Sequence, residues 1–132
     1  MKTAHDYNEI SGMIIAAAIE VHRQLGPELL ERVYEAALAH ELSLTGITCQ
    51  RQQPVPIHYK GVFLDEEAFK MDLLVNESII ELKTVSQILP IHSEQLRTYL
   101  RLTNLHLGLL INFNVPMLKD GIQRVVNQFP RS

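Results

Sequence analysis

Asp72, Glu81 and Lys83 stand inside two short runs, "MDLLV" and "SIIELKTV", that otherwise read as buried strands. The period of two along "IIELK" places Glu81 and Lys83 on one face of a strand and Ile80, Leu82 and Thr84 on the other. Asn76-Glu77-Ser78 between the runs is a turn-forming cluster. If the strands pair antiparallel through it, Asp72 lies on the polar face near Glu81 or Lys83. Two carboxylates about 4 Å apart repel by roughly 4 kcal/mol at an effective dielectric of about 20. A divalent cation is the simplest compensation. Carboxylate oxygens, water and a main-chain carbonyl make a hard, oxygen-only ligand set that suits Mg²⁺ or Mn²⁺ better than zinc. Lys83 would then position or help deprotonate a water, or stabilise charge on a phosphorane-like transition state. The plainer alternative is a solvated face or an exposed cross-strand ion pair, the usual meaning of a lone E-x-K on a strand.

Several elements must position these groups. From Tyr7 to Leu25 the residues Ile10, Met13, Ile14, Ala17, Val21 and Leu25 recur at helical spacing, and Gly26-Pro27 stops them. A second helix carries Leu30, Val33, Tyr34, Ala37, Leu38 and Glu41, with Gly46 as its terminator. The stretch "ITCQRQQPVPIHYKGVFL" reads as a β-meander with a hairpin turn at Lys60-Gly61, and Pro54 and Pro56 make its first part an edge or irregular strand. Pro90 opens a third helix to about Leu102, whose apolar side includes Leu96, Tyr99 and Leu100. "HLGLLINF" has the continuous apolar character of a strand covered on both faces, and "KDGIQRVVNQF" reads as a last edge strand over Ile122 to Val126 or a short helix, with the strand favoured. The order predicts an α/β sandwich with a mixed sheet.

A chain of 132 residues, 46% hydrophobic, is expected to form one domain over 1–132. Its formal net charge of −3 gives no bulk argument for binding nucleic acid, so such a partner has to be argued from a site. The single cysteine, Cys49, fits a small strand residue in a reducing cytoplasm. "MIIAAAI" lacks the flanks of a signal peptide, and no apolar run approaches the roughly 20 residues of a membrane span. A cytoplasmic protein without a membrane partner is expected.

Asp72 followed by Glu81-Leu82-Lys83 looks like the core of the PD-(D/E)xK nuclease superfamily. "MDLLV" and "IIELKTV", taken with "LGPELLERVYEAAL" (25 to 38), "IHSEQLRTYL" (91 to 100) and "LGLLINFNVP" (107 to 116), resemble the small bacterial and archaeal GxxExxY proteins placed in that superfamily. The resemblance covers about residues 8 to 127. It implies a restriction-endonuclease-like αβββαβ core, a central mixed sheet flanked by helices, with an extra N-terminal helix. It also implies a Mg²⁺- or Mn²⁺-dependent nuclease acting on nucleic acid, DNA more than RNA. Asp72 and Glu81 would bind the metal with the Leu82 carbonyl, and Lys83 would be the catalytic lysine. Glu31 would supply an acidic group to the metal or its water shell, with Tyr34 beside it on the helix surface. Gln95 matches the glutamine that many members place on the helix after the core. His92, Gln95 and Tyr99 share one stripe of that helix, and Tyr34, His92 and Tyr99 are candidate substrate contacts. The sequence departs from the motif at Glu28, where glycine is typical; an acidic residue at a helix start suggests a shifted cap.

Two other functions compete: a non-catalytic domain that keeps the fold and binds nucleic acid or protein, and an assembly protein whose charges form a salt-bridge cluster. Intact Asp72, Glu81, Lys83 and Gln95 favour the enzyme. A homodimer or a basic partner would enlarge the grip on a nucleic acid. Arg51, Lys60, Lys70, Arg97 and Arg101 are candidates for phosphate contacts.

Overall fold

The computed structural model describes residues 2–64 and 69–131. Its first helix, α1 (Ala4–Leu25), begins at a reciprocal cap in which Thr3 and Asp6 each accept the other's main-chain N–H. It ends at Gly26, whose φ of 71° is a conformation glycine tolerates and whose N–H bonds back to the His22 carbonyl. The buried stripe runs through Tyr7, Ile10, Ser11, Ile14, Ala17, Ala18 and Val21. Met13 and Leu25, expected on that stripe, stay exposed.

Helix α2 (Glu31–Leu44) follows, then β1 (Gln50–Pro54), β2 (Ile57–Tyr59), β3 (Val62–Leu64), β4 (Lys70–Val75) and β5 (Ser78–Lys83). Helix α3 (Pro90–Thr103) leads to β6 (Leu107–Asn112), a 3₁₀ turn over Leu118–Gly121 and β7 (Ile122–Val126). Five strands form one mixed sheet in the order β1-β4-β5-β6-β7, in which β5 and β6 run parallel and the other neighbours antiparallel. This is the restriction-endonuclease-like arrangement expected, with α1 as the additional N-terminal helix.

The meander expected over 47 to 64 is split. After Pro54 the chain leaves the sheet, and β2 pairs with β3 as a separate hairpin. Pro54 and Pro56 have no N–H to continue the ladder, which accounts for the exit. Cys49 lies just ahead of β1 and not inside a strand.

Alternation along the strands builds two cores. Leu73, Val75, Ile80, Leu82, Leu109 and Ile111 pack with α1 and α2, while Ile79, Leu110 and Val125 pack with Leu96, Tyr99 and Leu100 of α3. Gly108 lets α3 sit close on β6, since a Cβ there would meet the Leu96 side chain at 2.9 Å. Behind the end of β5, Asn112 clamps the following loop: its Oδ1 accepts the Val85 N–H and its Nδ2 donates to the Val85 carbonyl.

Candidate functional site

The hairpin of β4 and β5 is regular at its turn and irregular at its open end. Asn76 and Glu77 have φ of 48° and 66°, the left-handed pair of a two-residue turn, and register runs from Val75–Ser78 to Leu73–Ile80. The next pair in that register would be Asp72 with Glu81. There the ladder changes character. The Asp72 N–H donates to Glu81 Oε2 at 2.8 Å, and the Leu82 N–H donates to Asp72 Oδ2 at 2.8 Å. Side chains therefore take over bonds that main-chain carbonyls make elsewhere in the sheet. Leu82 turns its N–H toward β4, and in an extended strand the C=O of the same residue points the same way, so its carbonyl faces the opened gap.

These contacts use one oxygen of each carboxylate. Among the described residues, Glu81 Oε1 has no hydrogen bond, and Asp72 Oδ1 has only a 3.4 Å contact from Gln52 Nε2. Glu81 is 6% exposed, and burial, reinforced by the neighbouring Asp72 charge, pushes its carboxyl up to about 8. Burial also raises Asp72, helped by the charges of Glu35 and Glu31. The pair is thus short of positive charge and rich in oxygen, which fits a hard divalent cation. Among the described residues, no three carboxylate, imidazole or thiol groups come together as a metal cage. A cation here would rely on the two carboxylates, the Leu82 carbonyl and water.

Lys83, half-buried, follows on the same face of β5 as Glu81, and Glu81 feels its charge. Glu31 opens α2 and is exposed, with its charge felt at both Asp72 and Glu81. It does not join them in a closed group.

Tyr34 is not beside Glu31 on the surface. It is fully buried, stacked on Phe113 with centroids 4.3 Å apart. Its hydroxyl donates to the Gly26 carbonyl and accepts the Leu29 N–H, so both ends of the loop before α2 hang on it. Those bonds make Tyr34 a fastener of the loop; a fully buried ring with its hydroxyl so engaged offers no surface to a substrate. The same loop holds Glu28 at φ 74°, the left-handed conformation that glycine favours. No shifted cap relieves it, because α2 begins only at Glu31 with Leu30 as its N-cap. The backbone keeps the shape a glycine would give and carries the strain.

On α3, Tyr99 is 5% exposed in the core, and burial together with the charges of Glu81 and Asp72 pushes its hydroxyl up to about 12. Gln95 is half-buried. His92 Nδ1 accepts the Leu89 N–H at 3.0 Å, so the imidazole caps the start of its own helix.

Sequence reasoning missed Glu35 and Gln52. Glu35 is 5% exposed and occupies the inward stripe of α2 with Leu38 and Leu42. Its Oε2 accepts Arg51 Nε at 2.9 Å, and its Oε1 accepts Gln52 Nε2. Gln52 stands opposite Asp72 in the register of β1 and β4, has a φ of 53°, and is passed over by the ladder that pairs its neighbours. Glu35, Gln52 and Asp72 are therefore linked across α2, β1 and β4. A glutamate at the spacing of buried leucines was the available signal for Glu35.

The other basic candidates differ. Arg97 is spent on Glu94 of its own helix, and Lys60 lies over the ring of Tyr59. Lys70 and Arg101 are exposed. Among the described residues, no helix is long and apolar enough to cross a membrane.

A family model described as the PD-(D/E)XK nuclease superfamily matches residues 8–125. No curated protein and no solved structure matches the chain.

Proposed function

The chain belongs to the PD-(D/E)XK nuclease superfamily, and from that premise we propose that it is a Mg²⁺-dependent nuclease that hydrolyses phosphodiester bonds of DNA or RNA, with Mn²⁺ as a competent substitute. Nucleases of this superfamily generally use divalent metal ions. The observation that carries the reading is the pair of main-chain N–H bonds accepted by Asp72 and Glu81, which breaks the ladder ahead of Lys83 and leaves the second oxygen of each carboxylate without a main-chain partner.

In this reading Asp72, Glu81 and the Leu82 carbonyl hold the cation. Bound there, it would supply Lewis acidity toward a phosphoryl oxygen and acidify water. The N–H groups that Asp72 and Glu81 each accept hold the two carboxylates in place against their mutual repulsion. Lys83 neutralises charge developing on the phosphoryl oxygens or orients the attacking water. Glu31, exposed at the start of α2, supports the water shell, and Gln95 faces the substrate from α3. DNA is the favoured substrate. The protein acts as one domain in the cytoplasm, and a second copy or a basic partner widens its grip.

Cleavage of a panel of single-stranded, duplex and branched DNA and RNA, with and without Mg²⁺ or Mn²⁺, tests this. Metal-dependent cleavage is expected, and Lys83→Ala should lower turnover by about 10² or more while leaving metal binding in place. A Lys83→Ala preparation that cleaves at the parental rate removes the catalytic-lysine assignment. No cleavage of any substrate by the parent turns the reading to the non-catalytic binding domain.

A further inference from the structure

Arg51 and Gln52 are consecutive residues of β1, and period-two alternation would send their side chains to opposite faces. They converge instead. The positive φ of Gln52 interrupts the alternation, the β1–β4 ladder passes over it, and both side chains end on the one carboxylate of Glu35. A non-glycine residue held in the left-handed region is strained and persists where the surroundings over-determine it. Such a residue, one strand away from Asp72, marks a place where geometry is being enforced.

The Arg51–Glu35 ion pair is lopsided. The carboxylate is buried, with 7% of its side chain exposed, whereas the arginine is 47% exposed. Glu35 engages Arg51 through Nε alone. The two terminal nitrogens of the guanidinium have no hydrogen bond among the described residues, and they form the planar fork that suits a phosphate bidentately. By contrast, Arg97 gives a terminal nitrogen to Glu94, and Arg23 gives both Nε and a terminal nitrogen to Glu20. Fixing Nε from behind sets the plane of the Arg51 fork and removes much of the side-chain entropy that phosphate binding would otherwise cost. Gln52 Nε2 donates both to the Glu35 carboxylate and, at 3.4 Å, to Asp72 Oδ1, which links the carboxylate behind the fork to the Asp72 side of the pair.

We propose that Arg51 is a phosphate anchor beside the Asp72–Glu81 pair, binding non-bridging oxygens of the nucleic-acid backbone, and that Glu35 is the residue that positions it. The assignment rests on the nuclease reading and goes beyond it by naming where a backbone phosphate is held. The charges of Glu35 and Glu31 are felt at Asp72, so a cation pre-aimed on Glu35 would offset part of the repulsion that an incoming phosphodiester meets.

The test is fluorescence anisotropy with fluorescein-labelled DNA and RNA oligonucleotides in EDTA buffer, at about 50 to 200 mM salt, alongside the cleavage assay in Mg²⁺. Arg51→Ala alone would strand the buried Glu35 charge and risks unfolding, so the primary variant is Glu35→Gln/Arg51→Gln, which neutralises both partners and keeps hydrogen bonding between them. It should retain the parental circular dichroism, lose affinity about tenfold at low salt, and show a log–log salt slope shallower by about 0.7 to 0.9, the value of one phosphate contact. Arg51→Lys keeps the ion pair and the charge, and should hold the parental slope while losing several-fold in affinity with the fork. A double variant that folds and binds with the parental affinity and slope overturns the anchor, and parental cleavage in that variant leaves the nuclease reading standing. If the parent neither binds nor cleaves any substrate, the nuclease reading falls and the anchor with it.

Discussion

Two hairpins of this protein are built on the same kind of turn and put to opposite uses. Lys60-Gly61 and Asn76-Glu77 both supply two consecutive left-handed residues, and both close strands paired directly across them. The β2–β3 hairpin is left in the open, with Tyr59, Val62 and Phe63 each more than half exposed. The β4–β5 hairpin lies at the heart of the sheet, where β5 is buried along its length except at Lys83. A turn thus fixes how two strands meet, and the layers above and below decide whether they can hold desolvated charge. In the covered hairpin, burial and the neighbouring Asp72 charge push the Glu81 carboxyl up to about 8.

The widest expected gap between the hairpins is in stability. Leu73→Ala or Ile80→Ala, at fully buried positions of the covered hairpin, should cost about 2–5 kcal/mol. Val62→Ala, 59% exposed in the open hairpin, should stay within about 0.5 kcal/mol. Urea unfolding of the three variants measures both; a Val62→Ala loss of the same size as Leu73→Ala would mean the open hairpin is covered in solution.

Titration should separate them next. The folded state holds the Glu81 proton more tightly than the unfolded chain does, so this contribution is complete below about pH 4.5 and drains away as pH rises toward 8. Asp72 adds to the same trend. In EDTA the melting temperature should therefore fall across that window, and Glu81→Gln should flatten the decline. Saturating Mg²⁺ should reverse it at the alkaline end, since a cation held by the ionised pair, as proposed, would stabilise the state it binds. A metal-free protein that becomes more stable from pH 5 to 8 through Glu81 would contradict the burial of this carboxyl.

The smallest effect lies in the turns themselves. Glu77 adopts φ 66° without being glycine, whereas the equivalent place in the open hairpin is Gly61 at φ 79°. Glu77→Gly should stabilise by about 0.5–1 kcal/mol despite losing the exposed ion pair to Lys2. Gly61→Ala should destabilise by about 1 kcal/mol. Chemical denaturation checks both, and equal shifts of the same sign would show that the turns are not alternatives of one design.

How much of this was legible follows the range of the forces involved. Pro90, Gly26, the turn residues and the alternation in "IIELK" act within a few residues, and α3, the end of α1, both hairpins and the facing of Glu81 and Lys83 were readable from them. The separation of β2–β3 from the sheet was half-visible in Pro54 and Pro56. Glu35 was not, because a glutamate in a helix ordinarily reads as solvated, and its burial depends on Arg51 and Gln52 arriving from a distant strand. Gln52 carries no preference for positive φ in its residue type, so tertiary contacts alone put it there. Tyr34 was readable as a motif residue but not as the fastener of Gly26 and Leu29, since both bonds run from its ring to a loop whose shape the sequence did not fix.

The crossed bonds between Asp72, Glu81 and Leu82 also make the site a witness to how the chain was threaded. A slip of one residue between β4 and β5 would throw Asp72 and Glu81 onto opposite faces of the sheet, and every apolar residue of the shifted strand with them. Neither crossed bond could form in that species. Molecules that fold out of step would thus lack the paired carboxylates as well as being unstable, so a mis-threaded fraction would lower the number of molecules able to hold the proposed cation without creating a second kind of site.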